Sequence, residues 1–149
     1  MELVTGATGH AGNALVRELL SSGKRVRVLL RKQSDTLCLK GMEIEKVYGD
    51  ITNLDSVMDA CRDIENVYHL AAQISIMPGR DNHLNRINLA GTQNIIQAAK
   101  KNKIKRLIYT SSIHALKEAP HGTIIDEQNT YFDPSNPGAH MTGAKQPPA

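Results

Sequence analysis

A glycine triplet near the amino terminus has the spacing of a phosphate-binding loop. Gly6, Gly9 and Gly12 lie in the segment VTGATGHAG, between a short apolar run and a stretch of helical period. Gly6 allows a tight turn, Gly9 lets the backbone approach a pyrophosphate without an intervening Cβ, and Gly12 lets the helix pack close to the strand. Free N–H groups at the start of the helix can then bind the anion. This context predicts a dinucleotide-binding loop, with an ordinary glycine-rich turn as the alternative.

The elements that must hold this loop alternate between strands and helices. Apolar runs predict strands at MELVT, RVRVLL, MEIEKVYGD, NVYHLAA and IKRLIYTSS. Helical spacing predicts helices whose inward residues are Ala11, Leu15, Val16, Leu19 and Leu20, then Leu54, Val57, Met58 and Cys61, then Leu84, Ile87, Ile95 and Ile96 within residues 81–101. This order favours an α/β fold with a parallel sheet covered on both faces, a Rossmann-like doubly wound sheet that is truncated after its fifth strand.

Composition indicates an ordinary globular protein. The 149 residues suffice for one domain with a core, and 40% of them are hydrophobic. The net charge is only +3 and no aromatic residues interleave with the basic clusters, so we expect no nucleic-acid partner. No apolar run has membrane-spanning length and no signal-like start is present, which predicts a cytoplasmic protein without membrane contact. Cys38 and Cys61 match no metal-site spacing, so we expect two buried free thiols and no metal.

Further motifs follow the glycine loop along the chain. They are YGDITN with Asp50, HLAA at residues 69–72, NLAGTQN with Asn88, and YTSS ending at Ser112. Together with TGATG, these motifs resemble the extended branch of the short-chain dehydrogenase/reductase superfamily, which includes nucleotide-sugar epimerases, dehydratases and dihydroflavonol-reductase-like enzymes. The resemblance covers residues 1–112. It implies that the chain is the cofactor-binding part of an NAD(P)-dependent oxidoreductase, epimerase or dehydratase.

The resemblance also implies which residues contact the cofactor. Asp50 would lie beside the adenine, and the HLAA segment would run along the dinucleotide. The implied set is Thr5, Gly6, Thr8, Gly9, His10, Ala11, Gly12, Arg31, Lys32, Asp50, Ile51, Leu70, Ala71, Ala72, Asn88 and Thr110. Taken singly, these residues have ordinary structural roles as alternatives: Asp50 as a turn residue, Asn88 as an exposed helix residue, and the alanines as core.

The end of the second predicted strand bears on the choice of cofactor. NAD-preferring members usually carry an acid there, which accepts hydrogen bonds from the ribose hydroxyls. This chain has Arg31 followed by Lys32, and a guanidinium can bind a 2′-phosphate through two hydrogen bonds. The sequence therefore favours NADP(H). NAD is the alternative if Arg31 and Lys32 only form a solvated basic turn and Asp35 turns inward.

The catalytic groups that the resemblance implies are incomplete. The family uses a Tyr as general acid or base, a Lys four residues later that lowers the Tyr pKa, and a Ser or Thr that holds the substrate oxygen. Ser112 matches the serine, with Ser111 as the alternative, and Lys145 matches the lysine. Four residues before Lys145 stands Met141, which has no titratable proton. We therefore expect the chain as written to be inactive.

The genetic code suggests how the tyrosine was lost. If the codon of His140 ends in T, the frame that starts at that base reads Tyr and then Asp, and suitable wobble bases continue it as Arg-Ser-Lys-Ala-Ala. We hypothesise a frameshift at or just before His140. The alternatives are a deliberately shortened chain, or a diverged tail in which His140 moves a proton.

These interpretations divide the chain into an NAD(P)-binding domain at residues 1–112 and an irregular loop with an aberrant tail at residues 113–149, with the substrate domain absent. Expected partners are the dinucleotide and, in intact relatives, a small-molecule substrate. A family-type homodimer would pair the helix of residues 81–101 with the helix that should carry the Tyr and Lys, so the change at Met141 leaves the oligomeric state open. The second hypothesis is a non-catalytic dinucleotide-sensing or partner-binding protein of the atypical branch.

Overall fold

The computed structural model describes residues 1–73, 85–111, 122, 124 and 126. In these residues the strands form one parallel sheet in the order β3-β2-β1-β4-β5. The strands are β1 Glu2–Thr5, β2 Val26–Leu30, β3 Ile44–Tyr48, β4 Asn66–His69 and β5 Arg106–Tyr109. The helices are α1 His10–Ser21, α2 Leu54–Ala60 and α3 Gly91–Lys101, with a 3₁₀ turn at Leu37–Leu39 and a π-helical turn at Asn85–Ala90. The predicted Rossmann-like doubly wound sheet is confirmed.

The strand order reverses beside β1, and this reversal decides where a ligand can bind. The chain leaves β1 towards β2 on one side, whereas β4 pairs with β1 on the other. At the carboxyl end of β1, Thr5 is in register with Leu29 of β2 and with His69 of β4. In open sheets of parallel strands, such a reversal leaves a crevice at the carboxyl ends.

Aliphatic side chains fill the space on both faces of the sheet. On one face Leu3 and Val67 pack with Ile95 of α3, and all three side chains are fully buried. On the other face Val4 packs with Val16 of α1, again with no exposed surface. The central strands are therefore covered on both sides, which is why they are apolar runs and not alternating ones.

Local signals in the sequence explain the helix ends. The side chain of Asn53 accepts a hydrogen bond of 2.9 Å from the N–H of Ser56 and so caps the start of α2. Gly23 follows α1 with a φ of +70°, a conformation that favours glycine and ends the helix.

The predicted inward faces of two helices were partly wrong. Ala11 is exposed, and Gly12 is buried in its place because the first turn of α1 faces the preceding loop. Ile96 is 38% exposed, whereas its neighbour Ile95 is fully buried, because successive helix residues point in different directions and only Ile95 faces the sheet. Leu84 lies outside the described residues.

The prediction of two buried thiols was right for one cysteine only. Cys61 is buried in the core between α2 and β4, and Cys38 is exposed in the 3₁₀ turn. The Cys38 thiol lies 3.9 Å from the carbonyl oxygen of Thr8. In this turn Leu39 is the residue that enters the core, and its neighbour Cys38 is left at the surface.

The chain divides into two compact units. The first comprises residues 1–73 and 86–110 and contains the whole sheet described above. The second comprises residues 74–85 and 111–149, of which the structure describes residues 85, 111, 122, 124 and 126. The domain boundary at residue 112 stays a prediction. Among the described residues, no helix has both the length and the apolar character needed to cross a membrane.

Candidate dinucleotide-binding site

A cleft of about 450 Å³ opens at the carboxyl ends of β1 to β4, where the strand order reverses. Its walls come from four consecutive connections of the fold. The lining residues are Thr5, Gly6, Ala7, Thr8, Gly9, Leu29, Leu30, Arg31, Ser34, Gly49, Asp50, Ile51, Leu70, Ala71, Ala72, Gln73 and Ile87. This is the position at which parallel open sheets bind ligands.

The three glycines at the end of β1 and the start of α1 differ in what a side chain at each position would meet. Gly6 has a φ of +75°, and a Cβ there would lie 2.7 Å from the backbone nitrogen of Ala71. A Cβ on Gly12 would lie 2.1 Å from the carbonyl oxygen of Gly6. At Gly9 the nearest atom would be 3.3 Å away, so the protein itself nearly accommodates a side chain. Gly6 and Gly12 are therefore required by the fold, and Gly9 leaves open space at the cleft.

The start of α1, beside this loop, has no side-chain cap. Gly9 is the N-cap residue and makes no side-chain hydrogen bond, and the first turn contains no acidic residue. The backbone N–H groups of a first helical turn have no partner within the helix, and the helix dipole adds partial positive charge. A phosphate placed against this turn would satisfy these groups.

A chain of hydrogen bonds connects the floor of the cleft to α3. The buried hydroxyl of Thr5 lies 2.7 Å from Nδ1 of His69 and accepts a hydrogen bond of 3.2 Å from the N–H of Ala71. On the other side of the ring, Nε2 lies 3.1 Å from the hydroxyl of Thr92. His69 is 1% exposed, and burial lowers its pKa to about 4, so the imidazole is neutral at physiological pH.

The NLAGTQN segment holds two walls of the cleft. The side chain of Asn88 donates to the carbonyl of Gln73 and accepts from its N–H, both at 2.8 Å. Asn94 donates to the carbonyl of Ile51 at 2.8 Å. A Cβ on Gly91 would lie 2.6 Å from the Cδ1 atom of Ile51. This motif thus positions the connections that follow β3 and β4.

Asp50 is held in a tight turn after β3. Its Oδ1 atom accepts hydrogen bonds from the N–H and the hydroxyl of Thr52, at 2.8 and 2.7 Å. The hydroxyl of Ser56 donates to the Asp50 carbonyl at 2.8 Å. The alternative role as a turn residue is therefore confirmed, and Asp50 also lines the cleft.

The two basic residues after β2 differ in whether they line the cleft. Arg31 is exposed and lines it, whereas Lys32 is exposed and does not. The carboxylate of Asp35 binds the backbone of its own turn: its Oδ1 accepts a hydrogen bond of 2.8 Å from the N–H of Leu37. Of the charged residues at positions 31–35, Arg31 is therefore the one that lines the cleft, together with the neutral Ser34.

The structure brings most of the implied cofactor residues together. Those that line the cleft are Thr5, Gly6, Thr8, Gly9, Arg31, Asp50, Ile51, Leu70, Ala71 and Ala72. Those outside the lining are His10, Ala11, Gly12, Lys32, Asn88 and Thr110. Of the latter, Gly12 and Asn88 shape the cleft through backbone contacts, and Thr110 is exposed at the end of β5. Ser112, Met141 and Lys145 lie outside the described residues.

The sequence reasoning missed several residues of the site. Ser34, Gln73 and Ile87 line the cleft, and His69 connects its floor to α3. The HLAA motif includes His69 but does not by itself indicate its hydrogen bonds to Thr5 and Thr92. A histidine at the end of an apolar strand indicates a buried, hydrogen-bonded ring, so its position in the sequence could have identified His69 as part of the site.

Comparison with known proteins identifies the family. The model of the 3-beta hydroxysteroid dehydrogenase/isomerase family matches residues 3–146. The chain belongs to this family. Sterol demethylase protein B of Methylococcus capsulatus is 40% identical over 143 residues, which are 96% of this chain and 43% of that protein. The predicted resemblance to the extended short-chain dehydrogenases/reductases is confirmed, and the chain belongs with NAD(P)-dependent reductases, epimerases and dehydratases.

Solved structures share the fold of this chain. A short-chain dehydrogenase/reductase superfamily protein of Agrobacterium tumefaciens with bound NAD matches with a TM-score of 0.75 and 27% identity, over 89% of this chain and 39% of that one. The UDP-glucose 4-epimerase of Thermus thermophilus, in complex with NAD, matches with a TM-score of 0.75 and 26% identity. The match covers 88% of this chain and 44% of the epimerase chain. The chain thus spans less than half the length of these relatives. Both of these neighbouring structures contain NAD.

Proposed function

We propose that this chain binds a nicotinamide adenine dinucleotide in the cleft at the carboxyl ends of β1 to β4. The proposal rests on the position of the α1 N-terminus at the cleft. The N-cap residue Gly9 supplies no capping side chain, and hydrogen bonds fix the floor and walls of the cleft around it. The pyrophosphate would bind at the first turn of α1, the adenine beside Asp50, and the rest of the dinucleotide along Ala71 and Ala72.

NADP(H) is the form that the charges at the cleft favour. Arg31 is the basic residue that lines the cleft after β2, and the Asp35 carboxylate already accepts a hydrogen bond from Leu37. A 2′-phosphate placed near Arg31 would gain a charge-assisted hydrogen bond, whereas an NAD-type acid is lacking at that position.

The whole protein's activity is proposed to be NAD(P)-dependent redox chemistry on a small-molecule hydroxyl or carbonyl group. In this chemistry the dinucleotide supplies or accepts a hydride, and the protein binds and orients it. Ser112 and Lys145 are the proposed catalytic residues that match the motif. Because Met141 replaces the tyrosine, the chain as written would bind cofactor and would not turn over substrate.

Calorimetric titration of the purified chain with NADP⁺, NAD⁺, 2′,5′-ADP and 5′-AMP tests the binding proposal. We expect NADP⁺ to bind more tightly than NAD⁺, and 2′,5′-ADP more tightly than 5′-AMP, because only the first member of each pair carries the 2′-phosphate. Equal affinity within both pairs would overturn the NADP preference. No binding of any of the four at about millimolar concentration would overturn dinucleotide binding itself.

The nucleotide sequence from the codon of Pro137 onwards tests the proposed loss of the tyrosine. A frameshift predicts that the frame beginning at the third base of the His140 codon reads Tyr-Asp-Arg-Ser-Lys and stays open for roughly another domain. Restoring that frame should then restore NADP(H)-dependent activity. If the wobble bases spell another sequence, the frameshift is excluded and the dinucleotide-sensing alternative gains support.

A further inference from the structure

The directions of the hydrogen bonds around His69 determine which ring nitrogen carries the proton. The hydroxyl of Thr92 donates its single hydrogen to the carbonyl of Asn88, at 2.6 Å, so it can only accept from the imidazole. Nε2 therefore carries the proton, and Nδ1 accepts the hydroxyl hydrogen of Thr5. The Thr5 oxygen in turn accepts from the N–H of Ala71. Every group in this chain is satisfied only when the imidazole is neutral and protonated at Nε2.

We propose that His69 is a positioning residue for the dinucleotide, which fixes the distance between the phosphate loop and the wall formed by residues 71–73. The inference rests on the proposed function, because it concerns the same cleft. His69 itself does not line the cleft, so it acts through the groups that it holds.

Both ends of the hydrogen-bond chain reach cleft-lining backbone. At one end, Thr5 binds the N–H of Ala71, which lies 2.7 Å from the site of a Cβ on Gly6, so loop and wall are in direct contact there. At the other end, Asn88 holds Gln73 by two hydrogen bonds. Without the imidazole, the Thr5 hydroxyl loses the acceptor that orients it, so its hydrogen bond with the Ala71 N–H is no longer fixed through the ring to Thr92 of α3.

The surroundings of the ring keep it neutral. In the part of the chain that the structure describes, β1 presents Thr5 to it, α3 presents Thr92, and β5 presents Tyr109, whose ring is stacked at a centroid distance of 5.6 Å. Of these groups only the Tyr109 phenol can titrate. Protonation would turn Nδ1 into a donor and leave the hydroxyl hydrogen of Thr5 without its acceptor, so acid should weaken the hydrogen-bond chain that holds the wall.

Nuclear magnetic resonance of the ¹⁵N-labelled protein without cofactor tests the ring state directly. The sequence has six histidines, and the His69 signals are assigned by their loss in His69→Phe. We expect a neutral ring protonated at Nε2 and no titration near the ordinary pKa of 6.5. A ring protonated at Nδ1, or one that titrates near that ordinary pKa, would overturn the proposal.

Amide exchange and cofactor affinity test the positioning role. His69→Phe keeps an aromatic ring beside Tyr109 and removes both hydrogen bonds of the imidazole, and Thr92→Val removes the Nε2 partner together with the Thr92 bond to the Asn88 carbonyl. We expect each to speed exchange of the Ala71 amide and to weaken dinucleotide binding by roughly tenfold, as for one lost buried hydrogen bond. The effects of the two changes should be less than additive in the double variant, which differs from His69→Phe only by the loss of the Thr92–Asn88 bond, because both single changes remove the bond between Nε2 and Thr92.

Two further variants sharpen the comparison. His69→Gln places an amide N–H near the Nε2 position and should recover part of what His69→Phe loses, which a purely steric role would not predict. Thr36→Val is the matched control, because the Thr36 side chain makes no capping hydrogen bond and does not line the cleft. If His69→Phe does not fold, Thr92→Val leaves the imidazole in place and gives the same comparison.

The outcomes separate this inference from the proposed function. If the unmodified chain binds no dinucleotide, the proposed function fails, and the ring state and Ala71 exchange still decide whether His69 holds the wall. If the unmodified chain binds and the folded His69→Phe and Thr92→Val variants bind equally well with unchanged Ala71 exchange, the inference is overturned and the proposed function stands.

Discussion

The first turn of α1 rests on the backbone of the phosphate loop through Gly12 and Gly6. A Cβ at Gly12 would lie 2.1 Å from the carbonyl oxygen of Gly6 and 3.0 Å from the Cα of Ala7. Backbone atoms cannot move aside as the end of a flexible side chain can. The helix and the strand can therefore approach this closely only because residue 12 is a glycine.

Gly12→Ala should destabilise the protein. The added methyl group overlaps the backbone of Gly6 and Ala7, and we expect the free energy of unfolding to fall by about 3 kcal/mol. Urea unfolding measures it. Gly41→Ala is the control: its φ is +78° but its Cβ would meet nothing within 4 Å, so it should cost only the backbone strain of about 1 kcal/mol. Equal losses in the two variants would contradict the close contact.

Gly9→Ala should separate binding from folding. Gly9 has a φ of −78°, which any residue adopts, and its nearest Cβ contact would be 3.3 Å. Stability should therefore change by less than about 1 kcal/mol, whereas a pyrophosphate at α1 would meet the new methyl group. We expect the Kd for NADP⁺ to rise by about tenfold or more in calorimetric titration. Unchanged affinity would mean that the pyrophosphate does not approach this residue.

Much of the fold was predictable because its signals are local. The strands appear as apolar runs, the phosphate loop as glycines of fixed spacing, and the cap of α2 as Asn53 before a helical pattern. The errors arose where tertiary contacts decide. Whether Ala11 or Gly12 is buried depends on where the loop lies, and whether Ile95 or Ile96 faces the sheet depends on how α3 docks.

The hydrogen bonds within the site could not be derived from the spacing of residues along the sequence. His69 and Thr92 are 23 positions apart, and His69 and Thr5 are 64 positions apart. They meet because β4 pairs with β1 in a register that places Thr5 opposite His69. Register depends on how the whole sheet assembles, so a reader of the sequence sees the motif and not the contact.

Arg31→Ala should reduce the preference for NADP⁺. Arg31 lines the cleft and its guanidinium is proposed to bind the 2′-phosphate. We expect the Kd for NADP⁺ to rise by about tenfold, while the Kd for NAD⁺ changes little. Lys32→Ala is the matched control, because Lys32 is its exposed neighbour outside the lining. If Lys32→Ala has the larger effect on NADP⁺, the phosphate contact belongs to the lysine.

The two thiols should differ sharply in reactivity. Cys38 is exposed, whereas Cys61 is fully buried and its burial raises the pKa of that thiol to about 11. Since the thiolate is the reactive form, a disulfide reagent at about pH 8 should modify Cys38 rapidly and Cys61 only after unfolding. Thiol titration of the native and the urea-unfolded chain, with Cys38→Ser as control, measures this. Rapid modification of native Cys38→Ser would contradict the burial of Cys61.

Stability should fall in mild acid because of His69. Burial lowers its pKa from 6.5 to about 4, so between these values the unfolded chain binds a proton that the folded chain excludes. The contribution is complete above pH 6.5, and it is lost as the pH falls towards about 4, by at most about 1.4 kcal/mol per pH unit. Urea unfolding at several pH values, compared between the unmodified chain and His69→Phe, isolates this effect, because all carboxylates titrate in both. The difference in the free energy of unfolding should shrink as the pH falls. Parallel curves would show that the ring is not held neutral in the folded protein.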